Sequence, residues 1–267
     1  MATGKLYMAV FVAAFTALVS CGDKDPLPPP AAKPVTDQFD VRIRDIVVTN
    51  SPSPYYGFTY NDSGYVTSLN FASSLYIYHY YYKNQRIDSV TSTSTDARYL
   101  LYKYTGKLVT GVDQFNDAGK WLVVTIQYDQ QNRVSKMTWR QKSATEFDKV
   151  SEFTYYDDGN VKQLKNTYQP GGITSVVDYE AYDNKRGVDG FSIFKDFWDH
   201  VILLPGVKFQ YNNPVRMKIV SGPNERIIRH DYVYRDSLPI ERNSHTQVTG
   251  GPSAGQAFTG HTTFSYY

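Results

Sequence analysis

From Phe39 onward, apolar and polar residues alternate in short runs separated by turn residues. Phe39, Val41 and Ile43 interleave with Asp40, Arg42 and Arg44, and Met137 and Trp139 interleave with Lys136, Thr138 and Arg140. A period of two predicts strands with one wet and one dry face. The stretch Phe153 to Leu164 shows the unit most fully: a β-type run ends in tyrosine, Asp157-Asp158-Gly159-Asn160 reverses the chain, and a second run leaves through Val161 and Leu164. That is the signature of a β-hairpin. It recurs at Tyr60 to Val66 and Tyr128 to Val134, in degraded form at Tyr82 to Ile87 and Tyr104 to Leu108, and again at Tyr232 to Ile240. Anchor tyrosines fall at 60, 82, 104, 128, 156 and 182, with room for two strands in each step. The predicted fold is all-β: a long antiparallel up-and-down meander rolled into an open or closed barrel-like sheet, since a flat sheet leaves its edges unpaired.

Three segments interrupt the alternation. Asn50 to Pro54 carries two prolines and reads as a loop. Phe191, Phe194 and Trp198 lie at helical spacing, which predicts one short helix near 191–200, placed to plug or cap an end of the rolled sheet. Gly250 to Gly255 is a loop without the Gly-Lys-Ser/Thr ending of a phosphate-binding loop, and Thr262 to Tyr267 closes the chain as a strand.

The amino terminus has a different character. Lys5 precedes an apolar run, Leu6 to Val19, that is too short for a membrane span. The run ends Leu18-Val19-Ser20-Cys21, which resembles the bacterial lipobox, so residues 1–20 are expected to be a signal peptide and Cys21 the lipidated residue. Cys21 is the single cysteine, which excludes an intramolecular disulfide. Residues 21–37, with Pro26-Leu-Pro-Pro-Pro30, form a stiff polyproline-type tether, leaving 38–267 as a single β-meander domain. Gly22 and Asp23-Lys24-Asp25 favour the outer membrane, on its periplasmic or cell-surface side.

The hairpin phrases resemble the tyrosine-aspartate repeats of secreted bacterial proteins. The layout of lipobox, tether, hairpins, Asn212-Asn213-Pro214 and a closing aromatic strand resembles a family of Gram-negative lipoproteins with a porin-like fold and no established activity. The resemblance implies fold but no site residues. Channel activity does not follow from it, because Arg42, Arg44, Lys136, Arg140, Lys218 and Arg229 interrupt the outward apolar band that a membrane barrel needs.

Composition narrows the chemistry. The net charge of +2 arises from 28 basic and 26 acidic residues, which gives no electrostatic case for nucleic acid. His79, His200, His230, His245 and His261 have no metal-ligand spacing, and the Asn/Asp/Gly turns lack the full calcium-loop pattern, so no metal or cofactor is expected. No nucleophile elbow is present. Tyrosine is the outlier, at 24 residues beside 14 phenylalanines and 3 tryptophans. An aromatic sheet face made of Tyr76, Tyr78, Tyr80 and Tyr82, with Trp139 and Tyr168, is therefore the candidate binding surface for a glycan, peptide or envelope protein. The alternative role for these rings is cross-strand packing that fixes register. A non-enzymatic binding or scaffold domain is expected. The rival reading is a surface polysaccharide hydrolase with a carboxylate pair drawn from Glu146, Asp148, Glu152, Asp178 and Glu180.

Overall fold

The computed structural model describes residues 41–93, 98–142, 144, 147–195 and 201–267. Cys21 and the expected signal peptide and tether lie outside these, as do Phe39, Glu146 and residues 196–200. The described chain forms sixteen strands: β1 (Ile43–Val48), β2 (Tyr56–Tyr60), β3 (Val66–Phe71), β4 (Tyr76–Lys83), β5 (Arg86–Ser92), β6 (Arg98–Thr105), β7 (Leu108–Asn116) and β8 (Gly119–Tyr128) in the first half. The second half holds β9 (Val134–Gln141), β10 (Lys149–Tyr155), β11 (Val161–Tyr168), β12 (Ile173–Arg186), β13 (Asn212–Ser221), β14 (Asn224–Arg235), β15 (Leu238–Gly250) and β16 (Ala257–Tyr266).

Each strand pairs antiparallel with its sequence neighbours, and β1 pairs with β16, so the meander closes into a barrel. Closure removes both sheet edges. The last register runs Ile46 opposite Phe264 and Val48 opposite Thr262, and the Tyr267 hydroxyl donates to the Phe58 carbonyl at 3.0 Å across the seam.

The turns carry the chemistry that the hairpin phrase requires. Where the turn glycine is missing, Asn84 and Gln85 take positive φ themselves, as do Asp236 and Ser237 in the late copy. Such paired left-handed residues match the twist of the flanking strands. In the turns once readable as calcium loops, Asx geometry uses the side-chain oxygens: Asn61 Oδ1 accepts the Tyr65 N–H and Asp158 Oδ1 accepts the Asn160 N–H, at 3.0 and 2.9 Å.

The recurring tyrosine has a defined task. Near the end of its strand, its hydroxyl donates to a backbone carbonyl at the start of an earlier strand: Tyr60 to Ile43, Tyr82 to Val66, Tyr104 to Ile87, Tyr128 to Val109, at 2.8–2.9 Å. Tyr155 to Val134 and Tyr182 to Val161 continue the series at 2.8 and 2.6 Å, and Tyr232 and Tyr266 bond the carbonyls of Pro214 and Pro239 at 3.2 and 2.6 Å. Each latch closes the open end of one hairpin, tying the end of a strand to the start of the strand it follows and pairs with. The fifth anchor is Tyr155 rather than the expected Tyr156, whose hydroxyl turns to the Tyr179 carbonyl instead. Burial pushes the hydroxyls of Tyr104, Tyr128 and Tyr155 above the ordinary tyrosine range, so they remain donors at physiological pH.

Cross-strand register identifies the two faces of the wall. Tyr102, Val112, Val124, Trp139 and Lys149 lie opposite one another in sequence around the barrel, and all are buried. Their strand neighbours Lys103, Thr125 and Arg140 are exposed. The dry face is the lumen, and the wet face is the outer wall.

A sixteen-stranded barrel is wide enough for a water channel if its wall side chains alone must fill it. This lumen is filled by the connection between β12 and β13. Val201, Ile202, Leu203 and Leu204 are 0% exposed. The segment touches β4, β6, β10 and β15, an arrangement open only to a chain running inside. The expected helix near 191–200 is represented among the described residues by a single 3₁₀ turn, Gly190–Ser192. Filling is instead done by Phe194, residues 201–204 and Phe209 in extended or irregular conformation.

Candidate functional site

Tyr76, Tyr78, Tyr80 and Tyr82 share one face of β4 as expected, but that face looks inward. Tyr76 keeps 37% exposure at the rim, whereas Tyr78 and Tyr80 fall to 2% and 4%, and Trp139 to 2%. Tyr82 and Tyr168 are half-buried, Tyr168 opposite Lys149. The expectation of an open aromatic surface is thus corrected. Period two separates two faces without saying which is wet, and on closure the more apolar face goes inside. Among the described residues the outer face is not rich in tyrosine either, although Tyr81 stands there at 51% exposure.

The inward rings grip the plug. Tyr80 donates to the Val201 carbonyl at 2.6 Å, and Tyr102 both donates to the Leu203 carbonyl and accepts the Leu203 N–H at 3.0 Å. These bonds satisfy backbone groups that are buried without a ladder of their own. Lys149, 5% exposed, donates to the Phe194 carbonyl at 3.1 Å, with its ammonium 4.2 Å from the Trp139 ring centroid. Burial of that cation is offset by the carbonyl dipole and the ring quadrupole.

The neck of the plug is held by the central hairpin turn. Asn160, fully buried, accepts the N–H groups of Tyr211 and Asn212 on Oδ1 at 2.7 and 3.0 Å, while its Nδ2 donates to Asn212 Oδ1 at 3.0 Å. Gly159 lies beneath the Tyr211 ring, where an added Cβ would come within 2.7 Å. On the other side of the neck, Gly187 allows the Asn212 carbonyl to approach to a distance that any Cβ would block.

A cavity of about 200 Å³ remains between the plug and β13–β15. Arg242 pairs there with Asp189 of the plug at 3.0 Å and reaches Thr262 at 3.3 Å. His230, bonded to Ser244 at 2.8 Å, has its pKa pushed down to about 3 by burial and by Arg242, so it is neutral. The charges inside cancel. This cluster ties the plug to the wall.

The outer wall is charged. Lys218 pairs with Glu225 at 2.8 Å, Arg216 with Glu180 at 2.5 Å, and Lys103 and Lys120 share Asp113 at 2.8 and 3.3 Å. A lipid-facing band cannot carry such pairs. Of the carboxylates proposed for hydrolysis, the described ones each have a partner of their own: Glu180 pairs with Arg216, Glu152 lies 3.9 Å from Lys136, Asp178 accepts from Gln163 at 2.8 Å, and Asp148 accepts the Gln141 N–H at 2.7 Å. Among the described residues, no three His, Cys, Asp or Glu side chains converge on a metal-sized site.

One region of the wall is concave. Over β8 and β9 a groove of about 590 Å³ has a floor of short side chains, Val123, Thr125 and Thr138, between Lys120, Lys136 and Arg140. Arg140 lies over the Phe147 ring at 4.2 Å, and Lys142 stands exposed at the groove's end. The sequence pattern already marked Lys136, Thr138 and Arg140 as a wet face. What it lacked was the pairing with β8, which adds Lys120 and makes the hollow.

No protein-family model and no curated protein matches the chain. Among solved structures, it is similar to a porin-like protein from Bacteroides vulgatus ATCC 8482, with a TM-score of 0.54 at 10% identity, over 85% of this chain and 99% of that one. A second match, to the TcdB2-TccC3-TEV structure, has a TM-score of 0.32 at 13% identity over 76% of this chain and 12% of that one, too distant to bear on the reading. The first likeness is one of fold: a porin-like barrel.

Proposed function

We propose that the chain is a non-enzymatic outer-membrane lipoprotein, anchored through Cys21, whose barrel is a binding or scaffold domain and not a pore. The observation that carries this is the inversion of the wall. A membrane porin is apolar outside and polar within. Here ion pairs cover the outside, while the lumen is packed with Tyr78, Tyr80, Trp139 and the four buried aliphatics of the plug. Such a wall is suited to water, and such a lumen gives no path for ions. Attachment then falls to the lipobox sequence ending in Cys21. The tyrosines act in packing and latching, and recognition falls to the outer wall.

The test has two arms. Mass spectrometry of the chain purified from Gram-negative membranes is expected to find a diacylglyceryl-modified Cys21 as the first residue. In planar bilayers the same preparation is expected to give no unitary conductance. Stepwise channels that persist after immunodepletion of contaminating porins would refute the closed-lumen reading, and an unmodified amino terminus downstream of Cys21 would refute the anchor.

A further inference from the structure

We propose that the groove over β8 and β9 binds an acidic polysaccharide, a chain with carboxylate or sulfate groups repeated along its length. This rests on the binding-domain reading above and names its ligand class. The first support is a local surplus of positive charge in a chain that is nearly neutral overall. Lys103, Lys120, Lys136, Arg140 and Lys142 gather around the groove, against the carboxylates of Asp113, Asp148 and Glu152 among the described residues. Asp113 is shared by two lysines, at 2.8 and 3.3 Å, and Asp148 is already occupied by a backbone N–H. Arg140 and Lys142 have no carboxylate partner among the described residues. Where ion pairs form elsewhere on the wall, each cation has a carboxylate of its own, as Lys218 has Glu225 and Arg133 has Asp129.

The second support is the layout. Lys136, Thr138 and Arg140 project from the same side of β9, so the Lys136 and Arg140 backbones are about 13 Å apart at a rise of ~3.3 Å per residue. Charges spread along a line suit a polymer with spaced anions better than one small anion, which needs its donors to converge. The Arg140 guanidinium, 4.2 Å from the Phe147 ring centroid, keeps its fork for a planar carboxylate or for sulfate oxygens.

The third support is the floor. Thr125, Thr138 and Gln127 offer hydroxyl and amide groups at the depth where sugar hydroxyls would sit. A single-stranded nucleic acid requires open aromatic faces for its bases, and the one ring in this groove is covered by Arg140. The anion-rich polymer that fits is a glycan.

The experiment uses the full chain in neutral detergent with four probes of similar length: polygalacturonate, dextran sulfate, uncharged dextran and single-stranded DNA. Titration calorimetry is run at low and at high salt. Wild type is expected to bind one or both acidic polymers, more weakly as salt rises, and to ignore dextran. Lys136→Glu with Arg140→Glu is expected to weaken binding at least tenfold. The same charge change at Lys165 and Arg229, exposed on β11 and β14, is expected to stay within twofold of wild type. Arg140→Gln, a milder change, is expected to weaken binding severalfold with an unchanged circular dichroism spectrum. Equal binding of dextran, equal loss in the control variant, preference for single-stranded DNA of matched charge, or absence of binding to both acidic polymers each overturns the proposal. Absence of binding with no conductance removes the groove and leaves the scaffold reading intact. Groove-dependent binding with release of shorter fragments keeps the groove and overturns the non-enzymatic reading.

Discussion

The latch tyrosines give the sharpest test of how this barrel is held. Tyr128→Phe deletes one hydroxyl and nothing else. Its partner, the Val109 carbonyl, belongs to a residue 1% exposed, so no bulk water can replace the lost donor. A hydrogen bond is worth about 0.5–1.5 kcal/mol net, and a buried acceptor stranded without its donor costs about 1–3 kcal/mol. The upper part of that range applies here because the latch spans a hairpin and its loss also frees the end of β8. With an m value of about 3 kcal/mol/M for a domain of this size, a loss of about 2–3 kcal/mol should lower the urea midpoint by roughly 0.7–1 M at constant m. Tyr81→Phe is the internal control, since that ring stands 51% exposed on the outer wall. Tyr266→Phe tests additivity, because β16 and β8 are eight strands apart around the ring and distant sites add to within about 0.5 kcal/mol. Unfolding is followed by tryptophan fluorescence and far-UV circular dichroism together. A Tyr128→Phe midpoint indistinguishable from that of Tyr81→Phe refutes the claim that the repeated tyrosine works as a latch.

Three further outcomes follow from the same contacts. His230 has a folded pKa of about 3, below the ordinary value near 6.5, so as pH falls through that window the unfolded chain takes the proton first. The contribution is complete above pH 6.5 and declines by about 1.4 kcal/mol per unit below it; between pH 7 and 5 wild type should lose about 2 kcal/mol more in urea unfolding than His230→Gln, and equal losses rule the linkage out. Asn160→Ala removes the acceptor of two plug-neck N–H groups and should cost about 2–4 kcal/mol; hydrogen exchange should rise first in residues 201–209 while β8 and β9 stay protected, and uniform exchange across the chain contradicts this. Gly159→Ala meets the Tyr211 ring at a φ of +87° and should cost about 1–2 kcal/mol by thermal unfolding, whereas a neutral result means the ring moves aside freely.

The division between what was readable and what was not follows the range of the forces involved. Strand periodicity, turn residues and the spacing of the tyrosines are local, and Phe153 to Leu164 alone shows the hairpin from which the meander is built. The position of the fifth anchor shows the limit of that reading. Tyr155 and Tyr156 are alike in sequence, and only the pleat, which sends neighbours to opposite faces, decides that Tyr155 reaches Val134. Likewise Lys136 and Arg140 were legible as a wet face, but Lys120 joins them only because β8 pairs with β9 in one particular register.

The amino-acid sequence by itself determined the strand class, the hairpin order and the absence of a continuous apolar band. Tertiary structure decided the rest. Closure of β1 on β16 joins residues some 220 positions apart, and nothing in a local window specifies that pairing. Once the sheet closed, burial of aromatic area chose the inner face, and the same rings that suggested an exposed ligand surface became the walls of the core. The width of a sixteen-stranded ring then left a lumen that only a segment from elsewhere in the chain filled, with Val201 to Leu204 held by Tyr80 and Tyr102. A two-residue period distinguishes sides, but the loss of water from one of them is a property of the whole wall.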